Sequence, residues 1–424
     1  MVRICIIAPE SLTRPFRIQR LVRRLHRPSK PSSCVLTVRR VSIDFLPDEI
    51  LEAIFLFGCD ESRCNVCNQE PTEDVPRLRR YLERSRTRPI DLSIALPVAA
   101  RAISLDSLSD VMDILLLHLL RWRELHVESP FEDVIRLILT KLAQPALFAV
   151  ALEVLDVRRP IAKMLVPGSQ PLPALRSFAV ASAAWTLSDL GPLALSSPLL
   201  THLSIRSSYA FVAHAPLHFP ALKTLQVGDC YQNDTILRQL HAPNLEELHI
   251  EEMEIIRDET AGRYVDALRD GNSMNGRFPK LRSLKLHISE DSSPLILGRR
   301  LGPFLTLFPS IKHLILDGCH VSHFLKGLAD LHSEVFAAET LLPNLEHIAL
   351  GSEYGTYVMD NAHSAEYIQD VITLVKARHA AGVPLKRFSC LIARRAATAG
   401  KRRTFLRDKH TITLFHELAV IRDR

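Results

Sequence analysis

Aromatic residues make up only 6% of this 424-residue chain, and its 15 glycines are outnumbered by 26 prolines. That is a poor supply for glycine-rich phosphate loops, and neither G-x-x-x-x-G-K-[ST] nor G-x-G-x-x-G occurs. The nearest approach to a nucleophile elbow, GNSMNG from Gly271, lacks the G-x-S-x-G spacing. No run of eighteen apolar residues is present. The most hydrophobic helix candidate, VMDILLLHLLRW, is interrupted by Asp113 and His118 and is too short for a bilayer. A soluble, non-enzymatic protein needing no cofactor is expected.

No cleavable leader is expected either, since the short apolar stretch in MVRICIIAPESL runs into charge and not into a small-residue cleavage site. The cysteines at 5, 34, 59, 64, 67, 230, 319 and 390 therefore read as reduced thiols of an intracellular protein, cytoplasmic or nuclear. Cys59, Cys64 and Cys67 have C-x4-C-x2-C spacing, but no second ligand pair follows and the next histidine is His118. Without four ligands in two pairs they are loop thiols, not a zinc site. His214 and His218 in HAPLH are separated by Pro216 and lack a third ligand.

What the chain has is uneven charge. Residues 1–42 carry ten Arg/Lys against Glu10, giving +9, and residues 394–424 carry nine against three acids, giving +6; with a total of +6 the middle holds 6 − 9 − 6 = −9. Cations concentrated at the two ends disfavour nucleic-acid binding by the body. Residues 1–42, broken by Pro9, Pro15, Pro28 and Pro31, read as a basic, disordered tail. A mitochondrial transit peptide is the minor alternative. The segment 394–424, including GKRRTFLRDKH, reads as a C-terminal cap or basic tail.

Between these ends a repeat dominates. Pro-x-Leu-x-x-Leu-x-(Val/Ile/Leu) is read seven times, at Pro173, Pro198, Pro220, Pro243, Pro279, Pro309 and Pro343, with weaker copies at Trp122, Leu152 and Leu385. The last two apolar residues of each unit, such as Leu225 and Val227, are two apart and so face one side of a strand. One strand cannot bury that side alone. Stacking successive units in parallel, each returning through a helix or irregular segment, builds a shared core. The proline is expected to hold the residue before it extended and so mark where each strand begins. The fold class predicted is α/β, an irregular leucine-rich-repeat solenoid over residues 89–393 with a parallel β-sheet.

Between the repeat leucines, aligned positions form three columns. The first is Arg176, Thr201, Lys223, Glu246, Arg282, Lys312 and Glu346; the second is Ser177, His202, Thr224, Glu247, Ser283, His313 and His347. The third is Ala179, Ser204, Gln226, His249, Lys285, Ile315 and Ala349, facing away from the core. Gln226, His249, Lys285 and Ile315 are the candidate partner-binding residues. Alternating signs along this face favour a protein partner over a polyanion. The acidic pairs Glu246/Glu247 and Glu251/Glu252 read as solvated strand-face charges, without an apolar pocket to shift them. Cys230 and Cys319, three residues past the last apolar strand positions, read as structural thiols of the turn leaving the sheet.

Ahead of the repeats, VSIDFLPDEILEAIFLFG has Asp44 to cap, Pro47 in the first turn, and Ile50, Leu51, Ile54 and Phe55 on one helical face before Gly58. Leu46, Pro47, Asp48, Glu49, Ile50, Leu51, Glu52, Ala53, Ile54 and Phe55, followed by the repeats, resemble a fungal, mushroom-type F-box protein with leucine-rich repeats. Leu82 to Ile94, LERSRTRPIDLSI, is similar to the segment joining the F-box to the first repeats in that family. The resemblance implies an F-box-like helical segment at 43–58 and a linker at 59–88. It also implies that Leu46, Pro47, Glu49, Ile50, Leu51, Ile54 and Phe55 bind the Skp-type adaptor of a cullin-RING ubiquitin ligase. The repeats would then hold a protein substrate of unknown identity, with no nucleic acid and no membrane involved. Where the family continues with a Cys/Trp-containing stretch, this chain has GCDESRCNVCNQEPTEDVP. The alternative is thus an interaction scaffold whose shortened F-box no longer binds adaptor.

Overall fold

A computed structural model describes residues 2–7, 74–95, 105–129, 131–142, 149–158, 171–182, 187–207, 216–228, 233–253, 258–269, 276–288, 302–318, 321, 324–328, 342–350, 361–393 and 409–414. The F-box-like segment 43–58, the thiols of Cys59, Cys64, Cys67, Cys230 and Cys319, and His214 lie outside the described residues. The chain forms two compact units, Met1–Arg159 and Pro160–Arg424.

In the first unit the order is β1 (Val2–Ile7), α1 (Asp74–Arg84), β2 (Ile90–Ala95), α2 (Leu105–Leu116), β3 (Trp122–Glu128), α3 (Glu132–Leu142) and β4 (Val154–Arg158). The four strands pair in parallel in sequence order. The opening apolar run of the Arg-rich segment is thus a strand, β1, in register with β2. LERSRTRPIDLSI is the end of α1, a turn, and β2. Arg121 ties that turn down: its guanidinium donates to Ser85 Oγ (2.5 Å) and to the Arg88 carbonyl (3.0 Å). Helix α3 buries Val134, Ile135, Ile138, Leu139 and Leu142, one stripe of 3.6-residue periodicity, with Glu132 and Asp133 in its first turn and Lys141 in its last.

The second unit runs β5 (Ser177–Ser182), α4 (Leu187–Ser196), β6 (His202–Ser207), β7 (Leu217–His218), β8 (Thr224–Gly228), α5 (Asn233–Gln239), β9 (Leu240–His241), β10 (Glu247–Met253), α6 (Asp258–Leu268), β11 (Ser283–Ile288), β12 (His313–Gly318), β13 (His347–Leu350), α7 (Asn361–Ala380), β14 (Arg387–Ala393) and β15 (Lys409–Leu414). β5, β6, β8, β10, β11, β12, β13 and β14 are parallel neighbours in that order. β7 and β9 form a separate two-stranded pair. A parallel sheet alternating with helices, compatible with a leucine-rich-repeat solenoid, is what the repeat predicted. β15 adds antiparallel to β14 and covers its outer edge.

The apolar positions of all seven strong units are buried to 3% exposure or less, from Leu175, Phe178 and Val180 through Leu345, Ile348 and Leu350. Each such leucine in a core contributes about 1.5–3 kcal/mol on leaving water. The proline sits in a turn at each strand entry. The N–H of each first apolar residue bonds the carbonyl three residues back, as from Leu222 to Phe219 (3.2 Å) and from Ile311 to Phe308 (3.2 Å). Proline is therefore the second residue of a four-residue turn, where its fixed φ fits, at the approach to the strand; before Pro343 the preceding Leu342 has φ +50° and is not extended. The residues before the prolines, Leu172, Ser197, Phe219, Ala242, Phe278, Phe308 and Leu342, form a further buried column. The residue after the proline can tie repeats together: Asn244 Nδ2 donates to the Pro220 carbonyl (2.7 Å) and Asn344 Nδ2 to that of Pro309 (2.9 Å).

Helix α7 ends by a glycine turn. Gly382 has φ +76°, its N–H bonds His379 O (3.0 Å), and the Val383 N–H bonds Arg378 O (3.0 Å), with Pro384 next. Arg378, wholly buried, donates from Nη2 to the Leu342 carbonyl (3.1 Å), joining α7 to the turn before β13. Burial lowers its pKa to about 10, which leaves it charged at neutral pH.

Candidate functional site

Opposite the leucine core, the outward residues of the second unit stand in rows fixed by backbone pairing. Ala179, Ser204, Gln226, His249, Lys285, Ile315, Ala349 and Ser389 are successive register partners from β5 to β14. The four residues singled out from sequence, Gln226, His249, Lys285 and Ile315, are thus neighbours on four adjacent strands, each half-buried. The first column continues the ladder one residue outside the strands, with N–H to carbonyl bonds of 2.8–2.9 Å running from Thr201 to Arg176 and on to Lys386 and Glu346.

Two residues further along, a cluster forms that the column pattern does not reveal. Arg206 of β6 and Glu251 of β10 meet although β8 lies between their strands. Arg206 Nη2 donates to Glu251 Oε1 (2.8 Å) and its Nε lies 2.8 Å from Oε2. They meet over Gly228, the register partner of Arg206. A Cβ at Gly228 would sit 2.8 Å from Glu251 Cβ and 2.6 Å from Oε2, so the missing side chain makes the room. Glu251 is the next outward residue of β10 after His249, and the pairing of β10 with β11 slips by one residue between Ile250 and Met253. Gln226 Nε2 adds a donor to Glu251 Oε1 (2.6 Å).

Glu251 is therefore not a solvated strand-face charge as expected; its side chain is 13% exposed, against 43% for Glu246. The gap at Gly228 that admits it leaves no hydropathy signal. His249 is similarly covered, its Nε2 3.8 Å from Glu251 Oε1. Burial, then the charges of Lys285, Arg206 and His287, push its pKa down to about 3. A neutral ring at neutral pH makes that approach a polar contact and not an ion pair; Arg206 carries the opposing charge. On the next strands His287 Nδ1 and Asp317 Oδ2 lie 3.0 Å apart in register.

The first unit holds a different outward cluster. Arg123 grips the buried Asp91 with two bonds, Nε to Oδ1 (3.0 Å) and Nη2 to Oδ2 (2.7 Å). His126 Nδ1 lies 3.3 Å from Asp156 Oδ2, and its Nε2 3.4 Å from Glu124 Oε2. The bond to Asp156 is the main cause of a raised His126 pKa.

Chemically these clusters join charge to charge and set no nucleophile beside a base. Among the described residues no group of three or more His, Cys, Asp or Glu side chains is arranged to hold a metal ion, and no helix is long and apolar enough to cross a membrane. The exposed His218 and His241 rings on β7 and β9 lie with centroids 5.1 Å apart, tilted at 58°. The adaptor-binding residues predicted from sequence, Leu46, Pro47, Glu49, Ile50, Leu51, Ile54 and Phe55, lie outside the described residues. No family model matches the chain, and no curated protein matches it.

Proposed function

We propose that the chain is a non-catalytic substrate-recognition subunit of a cullin-RING ubiquitin ligase. Leu46, Pro47, Glu49, Ile50, Leu51, Ile54 and Phe55 dock a Skp-type adaptor through an apolar helical face, and the outward face of the repeat sheet holds the target. Its contribution to ubiquitin transfer is proximity, keeping a target lysine near enzymes supplied by other subunits. The observation that carries this reading is the run LPDEILEAIF placed ahead of a parallel-sheet repeat array. Support also comes from the register of Gln226, His249, Lys285 and Ile315, which gives four adjacent strands one shared outward row.

The departure from the family after Gly58, GCDESRCNVCNQEPTEDVP, favours a second reading, a repeat scaffold that does not bind adaptor. Co-purification of the full chain with a Skp-type adaptor, beside the double variant Leu46→Ala and Pro47→Ala, separates the two. Capture that the double variant loses supports the ligase subunit. A folded wild-type chain that captures no adaptor leaves the scaffold.

A further inference from the structure

The approaches to β11, β12, β13 and β14 carry more cations than carboxylates. Arg282, Lys312, Glu346 and Lys386 stand in one row, locked by N–H to carbonyl bonds of 2.8–2.9 Å between successive members. The next row is Ser283, His313, His347 and Arg387, in register. Lys312 and Lys386 share one carboxylate, Glu346, which lies 3.1 Å from both Nζ atoms, and Arg282 and Arg387 add two further positive charges to these rows. Arg282, His313, Lys386 and Arg387 are exposed.

The His313 and His347 rings meet edge to face at 5.9 Å, and burial, then the charges of Arg387 and His313, lowers the His347 pKa. Beyond them the third row continues as Ile315, Ala349 and Ser389, half-buried and without charge. By contrast, over β6 to β10 the cations are answered: Arg206 by Glu251, and Lys223 by Glu246 at 3.7 Å.

We propose that this end of the outward face docks a short acidic segment of a partner protein, its carboxylates toward Arg282, Lys312 and Arg387 and an apolar side chain over Ile315 and Ala349. Four strands about 4.8 Å apart span about 14 Å, the reach of about four extended residues. Single-stranded nucleic acid fits less well, because these rows offer no Phe, Tyr or Trp platform and place Glu346 at their centre. The inference deepens the target-holding half of the proposed function by naming the target's chemistry, and it rests on that half alone.

The test needs no adaptor, so its outcome is separate from that of the co-purification. A dye-labelled peptide of alternating Glu and Leu is titrated with the full chain in fluorescence anisotropy, beside the same peptide with Gln for Glu and an oligothymidylate of equal charge. Expected is binding of the Glu peptide that weakens with salt, is absent for the Gln peptide, and falls about tenfold or more in the double variant Arg282→Glu and Arg387→Glu. Arg176→Glu, the same change in the first column at the exposed start of β5, serves as control and leaves affinity unchanged. Equal loss in the control, no loss in the double variant, or tighter binding of the oligonucleotide overturns the proposal. Matching urea midpoints of the variants show that the sheet is intact.

Discussion

His126 in β3 and His249 in β10 occupy the same repeat position, one in each compact unit, and their pKa values are shifted in opposite directions. His126 sits between two carboxylates, Asp156 on the next strand and Glu124 on its own, and its pKa is raised. His249 has Gln226 and Lys285 as register partners, lies under the Arg206–Glu251 pair, and is driven to about 3, first by burial. The repeat decides which way a side chain points. What it then does is decided by neighbours from other repeats, about 30 residues away along the chain for Asp156 and His126.

Removing the partner that arranges the second unit breaks the comparison most. Glu251→Ala leaves the Arg206 guanidinium, 36% exposed, beside Gly228 without its counter-charge. Because Arg206 retains some solvent, the expected loss is about 2–3 kcal/mol, at or below the lower end for a fully buried pair. The urea midpoint should fall at unchanged slope, and Glu251→Gln, which keeps an acceptor for Gln226, should fall less. An Ala variant as stable as wild type would show that the cluster contributes nothing to the fold.

Second in size is the acid limb of His249. With a folded pKa near 3 and an unfolded one near 6.5, the unfolded chain takes up the proton first as pH falls. Its contribution is therefore complete above pH 6.5 and is lost as pH drops toward 3. Between pH 6.5 and pH 5 that amounts to about 1–2 kcal/mol. His249→Gln should flatten this part of the stability curve; an unchanged slope would mean the ring is protonated in the native sheet.

Why the cluster around His249 escaped the sequence while its row did not is a matter of periodicity. Every third-column residue was legible, since a strand of period two assigns Gln226, His249, Lys285 and Ile315 to the outward face as soon as Leu225 and Val227 are assigned inward. Period two puts Arg206, Gly228 and Glu251 on the same face, but the closure of Arg206 on Glu251 across β8 depends on the gap left by a glycine, which belongs to no repeat pattern. The same reason hid the buried column before the prolines. Leu172, Ser197, Phe219 and Ala242 share a turn geometry but not a chemistry, so only the hydrogen bond closing each turn unites them.

Gly228→Ala tests the gap itself. A methyl group 2.8 Å from Glu251 Cβ forces β10 or the carboxylate to move, for about 1 kcal/mol. If the clash is chiefly with the Glu251 carboxylate, 2.6 Å away at Oε2 and absent from alanine, the double variant Gly228→Ala and Glu251→Ala is more stable than the sum of the two losses predicts. Strict additivity would place the strain elsewhere.

The smallest effect is the mirror image in the first unit. A raised His126 pKa means that the folded chain holds the proton more tightly than the unfolded one, so the stabilisation is present below pH 6.5 and lost as pH rises through the folded value. The ring is 38% exposed, and solvent screening holds the effect to a few tenths of a kcal/mol. It is best read as a difference: wild type minus His126→Gln should be more favourable at pH 5.5 than at pH 8.5, the opposite sign to His249→Gln. Asp156→Asn removes the first cause of the shift and should abolish most of that difference while leaving the acid limb of His249 untouched. If both histidine variants moved in the same direction, identical repeat position would count for more than the neighbouring charges.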